Sequence, residues 1–162
     1  MKKIAFVLGF VLSFTLMISQ NKTKVLGIWQ AKLKGKFMTG RDLGVTAAPY
    51  STQSVFYVFT KENSYFALCP GKASLTKSNI QTLVSKQAAG EGDYEVYDSL
   101  PAIPDRSREK FEGEAPFKPK TIFIEATIQG EPMSFYFEPV AKKLFGLNKK
   151  NGLELVYVGP SW

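Results

Sequence analysis

The chain contains no histidine and only one cysteine. Without histidine it lacks the commonest general base, the usual zinc ligand and the usual pH switch. Ser-His-Asp and Cys-His enzymes are therefore excluded. A lone cysteine, Cys69, cannot close an internal disulfide, so stability must come from a packed core. Cys69 ends an apolar stretch before Pro70-Gly71 and is expected to be a small buried residue rather than a reactive thiol. No glycine-rich phosphate loop precedes a helix signal. Internal repeats and low-complexity tracts are absent. After the first nineteen residues, no apolar run is long enough to cross a bilayer as a helix.

Those first residues read as a leader. Met1-Lys2-Lys3 is a basic start, Ile4 to Ile18 a nearly continuous apolar run, and Ser19 a small residue suited to a signal-peptidase cut that leaves Gln20 first. The expected organisation is a signal peptide at 1–19 and one domain at 20–162. The short lysine-rich leader points to bacterial export, to the periplasm or the medium. No cysteine follows the apolar run to take a lipid anchor. The net charge of +7 becomes +5 once Lys2 and Lys3 are set aside. The remaining lysines are scattered, which argues against nucleic acid as a partner.

What is present is β signal. Residues 24–38 alternate, with Trp29, Ala31, Leu33 and Phe37 on one parity and Gln30, Lys32, Lys34 and Lys36 on the other, as in a strand with one face inward. The lysine face reads as a solvated or guarded edge. Residues 39–53 show no sustained period, as expected of a surface loop or lid. Ser54–Thr60 and Ser64–Cys69, joined by a turn at Lys61-Glu62-Asn63, form a hairpin with large residues on both parities. Residues 76–90 carry a helix signal, with a capping-box spacing at Ser78 and Gln81 and Gly90 as the closing residue, the alternative being a strand in which Ile80, Thr82 and Val84 alternate. A short strand follows over Gly92–Asp98. Four prolines in 99–119 mark a long connection.

The last third is the clearest. Ile122, Ile124, Ala126 and Ile128 share a face, Gln129-Gly130 turns, and Phe135 and Phe137 share a face on the return. Lys143–Leu147 and Leu153–Val158 flank an Asn151-Gly152 hairpin signal. About eight strands in adjacent hairpins predict an all-β, single-domain antiparallel barrel with one short helix, the alternative being a β-sandwich.

No catalytic constellation emerges. Asp93 and Glu95 share a strand face, and Glu112 and Glu114 fall in the long connection; two carboxylates at that spacing are an ordinary solvated face. No catalytic residue, metal ligand or cofactor is assigned. An enzyme here would have to run on carboxylates, tyrosines or lysines alone. Of 13 Phe, 7 Tyr and 2 Trp, only Phe6, Phe10 and Phe14 fall in the leader. An apolar cavity inside a barrel would use that aromatic excess. Phe56, Phe66, Phe135 and Phe137 are the candidate ligand-binding wall, and residues 39–53 or 99–119 the candidate mouth.

Gly27-Ile28-Trp29, in the first strand of this meander, resembles the Gly-x-Trp signature of lipocalin-like (calycin) barrels. The resemblance implies that Gly27 and Trp29 are a structural anchor, with the tryptophan packed across the closed base. It also implies that the open end takes a small apolar or amphipathic ligand or binds another protein. The mid-chain helix and the missing disulfide depart from that pattern. The expected function is an exported binding protein for a small apolar ligand. The alternative is a secreted or periplasmic protein-binding module, such as an inhibitor or envelope assembly factor, using Arg41-Asp42 or Asp105–Lys110 at the contact.

Overall fold

The structure, a computed structural model, describes residues 21–99, 120–147 and 152–162. The strands are β1 (Gly27–Leu33), β2 (Lys36–Phe37), β3 (Ser54–Phe59), β4 (Ser64–Cys69), β5 (Ala89–Tyr97), β6 (Ile122–Ile128), β7 (Glu131–Glu138), β8 (Lys143–Gly146) and β9 (Leu153–Gly159). One short helix, α1 (Ile80–Ser85), lies between β4 and β5. Every pairing is antiparallel, and neighbours in the sheet follow the chain from β3 to β9. β1 bonds to β3 on one side and to β9 on the other, which closes an eight-strand barrel. Closure removes the free edges that a β-sandwich would retain. The two-residue β2 is a ninth strand that extends the β3 side of β1.

The register defines two ends. The β3–β4 and β7–β8 turns lie at the end where β1 begins. The β6–β7 and β8–β9 turns, and the connection from β1 to β3, lie at the end where β1 finishes. Inward residues alternate along each strand: Trp29 and Ala31, Val55, Tyr57 and Phe59, Ile122, Ile124, Ala126 and Ile128, Phe135 and Phe137, and Leu155 form one buried cluster. The faces read from Ile122 to Ile128 and from Phe135 to Phe137 are these inward faces.

The base is sealed at the Trp29 end. Trp29 is 2% exposed, its indole N–H donates to the Val25 carbonyl at 3.0 Å, and Phe137 meets it edge-on at 5.9 Å. A helical turn over 21–25 covers this end, with buried Val25 against the core and the Lys22 ammonium 4.2 Å from the centre of the Tyr94 ring. Its placement brings an apolar anchor and a cation–π contact to one end of the barrel.

A second cluster lies outside the barrel wall. Ile28, Phe56, Val58, Tyr65, Ala67 and Cys69 are buried there against Ile80 of α1, with Val158 and Trp162 packed alongside. The 160–162 segment is tied down by the Ser161 hydroxyl, which donates to the Phe59 carbonyl at 2.7 Å. The large residues on both parities of β3 and β4 thus reflect two covered faces. A third cluster, Phe123, Tyr136 and Leu147, occupies the outer face of β6 to β8, with Tyr136 stacked on Phe145 at 5.0 Å.

Three local expectations are corrected. Residues 24–38 are not one strand: the chain reverses at Lys34-Gly35, both at positive φ (51° and 84°), and returns as β2. That pair of left-handed residues makes a tight hairpin turn whose twist matches its strands. The helix is confined to Ile80–Ser85, and just past its Lys86 cap the chain turns toward β5 at Gln87, at φ 56°. Gly90 is not a helix cap but a β5 residue paired with Phe66. The signal-peptide segment 1–19, the proline-rich connection with Asp105–Lys110 and Glu112–Glu114, and Asn151 lie outside the described residues. Among the described residues no helix is long and apolar enough to cross a membrane.

Candidate functional site

An open cavity of about 540 Å³ lies at the end of the barrel opposite the Trp29 base. Its walls come from strand ends that the register gathers there. Leu33 and Lys34 close β1, Met133, Ser134 and Phe135 open β7, Gly146 and Leu147 close β8, and Leu153 opens β9. Tyr57 contributes from the middle of β3, and Met38 and Leu43 from the connection between β2 and β3. Below it the interior is filled by side chains, from Phe59 and Ile124 to Leu144 and Leu155, all under 2% exposed. The barrel is therefore a packed core with a recess at its mouth rather than a hollow cup.

The 39–53 connection forms part of this mouth and is more ordered than its composition suggests. It holds two 3₁₀ turns, Gly40–Leu43 and Tyr50–Thr52. The Asp42 carboxylate accepts the Thr39 N–H at 2.7 Å and the Thr39 hydroxyl at 3.0 Å. These bonds, the backbone one first, hold the Asp42 carboxyl below its ordinary pKa. Gly40 passes so close to Tyr50 that a Cβ would collide with the Tyr50 carbonyl oxygen. Val45 and Tyr50 pack down onto the barrel core. Asp42 is thus engaged within its own loop, while Arg41 beside it is exposed.

Tyr57 is the most unusual group at the site. It is 6% exposed, and its ring meets Phe66 edge-on at 5.6 Å and Phe135 at 5.3 Å. Its hydroxyl has no hydrogen-bond partner among the described residues. Burial pushes its pKa up to about 12, so it is a neutral donor at any physiological pH. Ser134 is already committed, donating to Glu125 at 2.9 Å. Lys34 is the one charged side chain lining the cavity among the described residues, and no carboxylate or thiol lines it. The described lining is thus mostly apolar, with a hydroxyl and an ammonium as its polar side chains not already engaged.

The sequence-derived wall residues separate. Phe135 lines the cavity. Phe66 faces the interior beside Tyr57 but not the recess. Phe137 lies at the opposite end, against Trp29. Phe56 is on the other side of the wall: it pairs with Gln30 on the outward parity and is buried under α1. Its neighbour Tyr57, which pairs with inward Trp29, takes the place assigned to Phe56. Cross-strand parity with Trp29 carries that distinction, and aromatic size alone does not. Lys34 shares a parity with Lys32 and Lys36 in the sequence, but the turn it occupies brings it to the rim. The strand ends that flank the 99–119 connection lie at the Trp29 end, away from the mouth. Among the described residues no group of three potential metal ligands converges. No protein-family model, curated protein or solved structure matches this chain.

Proposed function

We propose that this protein is an exported, lipocalin-like barrel that binds a small apolar or amphipathic molecule in the recess at its mouth. The observation that carries the reading is the cavity itself. Its volume of about 540 Å³ falls within the ~300–1,000 Å³ of small-molecule sites, and aliphatic, methionine and aromatic side chains line it around a few polar groups. The Gly27-Ile28-Trp29 start, the sealed base and the opposite open end support the lipocalin-like assignment. The lysine-rich leader supports export.

The test is uptake of N-phenyl-1-naphthylamine, a neutral apolar fluorophore that brightens on leaving water. Saturable uptake by the folded protein is expected, weakened by filling the recess with Gly146→Leu. Absence of saturable uptake, together with no co-purifying organic molecule by native mass spectrometry, would exclude the reading.

A second reading, a protein-binding module, draws on Phe37 and Leu43, which are 52% and 42% exposed. Crosslinking in the native envelope would favour it if one protein were captured through this loop and lost on Leu43→Ser.

A further inference from the structure

The polar groups at the cavity are few, and each constrains what fills it. The Tyr57 hydroxyl is the stronger constraint. It sits on a residue more than nine-tenths buried, walled by Phe66 and Phe135, with no partner among the described residues. The hydroxyl faces the open recess, where solvent reaches it; an occupant that displaces this solvent without offering an acceptor leaves the donor unmet, so one presenting an acceptor is favoured over one that is wholly hydrocarbon.

The second constraint is the sign of the charge. Lys34 has no ion-pair partner among the described residues. Its backbone is held in place: the N–H donates to Gly152 of the β8–β9 connection at 3.3 Å, and its left-handed φ belongs to the β1–β2 turn. Among the described residues no acidic side chain lines the recess to balance it. A cation at the rim therefore meets the positive charge of Lys34, while an anion is attracted.

Resting on the binding reading above, we infer that the ligand is an anionic amphiphile held head-outward. Its negative group lies at the rim by Lys34, its apolar body lies against Met133, Phe135 and Leu153, and a carbonyl-type oxygen within that body accepts from the Tyr57 hydroxyl. Lys34 then selects charge and Tyr57 selects for an internal acceptor. Two residues set the specificity of a cavity that is otherwise nonselective.

The experiment is displacement of bound N-phenyl-1-naphthylamine by probes sharing one alkyl chain: dodecanoate, dodecanol, dodecyltrimethylammonium, and dodecanoates bearing a ketone at successive positions. Dodecanoate is expected to bind better than the trimethylammonium by about tenfold, with most of that preference lost in Lys34→Gln and restored in Lys34→Arg. At least one ketone position is expected to improve on dodecanoate by about three- to tenfold, and that gain is expected to vanish in Tyr57→Phe, each variant's displacement being scaled to its own measured fluorophore affinity. Equal binding of anion and cation, or a preference unchanged in Lys34→Gln, overturns the charge assignment. No favoured ketone position, or a favoured one that survives Tyr57→Phe, overturns the acceptor assignment. Failure of fluorophore uptake in the unaltered protein would instead remove the binding reading itself, so the two failures are distinguishable.

Discussion

Tyr157 occupies the space that a side chain on Gly27 would need. A Cβ on Gly27 would lie 2.5 Å from Cε2 of Tyr157 and 3.1 Å from the Gly159 carbonyl oxygen. The same tyrosine ring stands edge-on to Trp29 at 5.3 Å. The glycine and the tryptophan two residues later are therefore coupled through one ring on β9, the strand that closes the barrel on β1. Gly27 also has φ +151°, a backbone conformation that L side chains rarely adopt.

Gly27→Ala is accordingly expected to cost about 1–3 kcal/mol, by displacing Tyr157 and straining the backbone. Urea denaturation measures it. Tyr157 is 48% exposed and has somewhere to go, so Tyr157→Ala in the same background should recover only the steric share. Full recovery would mean that the backbone conformation costs nothing.

Trp29→Ala removes the largest side chain at the base, the indole bond to Val25 and two aromatic contacts. Its expected cost is about 3–5 kcal/mol, read from the same denaturation curves. A loss below about 1 kcal/mol would show that the base is held by other groups and that Trp29 is not the anchor.

Much of this was legible in the sequence because alternation has a direct physical meaning. Ile122 to Ile128 could point only one way once one face was buried, and Phe135 with Phe137 had to answer from the facing strand. Cys69 was placed correctly by its apolar surroundings. The recess was less legible because it depends on where strands stop. Lys34 reads as a strand residue until Gly35 turns the chain. Tyr57 and Phe56 are adjacent aromatics that differ only in parity, and parity cannot be assigned without the register to Trp29. The 39–53 loop looked structureless because its order comes from Asp42 and Gly40 bonding and packing locally, which has no hydrophobic period.

Glu91 and Glu125 should respond to pH in opposite directions. Glu91 accepts from the Tyr65 hydroxyl at 2.8 Å, the Gln81 amide at 3.2 Å and the Asn63 amide, joining α1 to the β3–β4 hairpin and β5. These bonds, led by Tyr65, favour the carboxylate and lower its pKa from the ordinary 4.5. A lowered folded-state pKa gives stability that is present above the unfolded value and lost as pH falls through the folded one. Glu91→Gln should therefore destabilise the protein at neutral pH and flatten the decline in denaturation midpoint below about pH 4.5. An unchanged acid profile would show that the three donors do not select the charged form.

Glu125 is the reverse case. Burial raises its pKa, only partly offset by the Ser134 hydroxyl, and it lies directly opposite Glu95 across β5 and β6. A raised folded-state pKa disfavours folding once pH exceeds the unfolded value, and like charges directly opposite add to that penalty. Glu125→Gln keeps an acceptor for Ser134 and removes the charge. It is expected to raise the denaturation midpoint at pH 7 and to have no such effect near pH 4. A lower midpoint at pH 7 would mean that the ionised carboxylate is stabilising where it stands.

Phe56 and Phe135 separate stability from binding. Both are 2% exposed, one under α1 and one at the cavity. Replacing either by leucine should cost a similar ~1–2 kcal/mol, since each loses ring contacts in a close-packed cluster. Only Phe135→Leu changes the recess, because Phe135 lines it and also positions Tyr57 at 5.3 Å. Fluorophore titration of the two folded variants should show a shifted affinity for Phe135→Leu and an unshifted one for Phe56→Leu. An equal shift in both would show that affinity follows general loss of packing and does not depend on the recess at the mouth of the barrel.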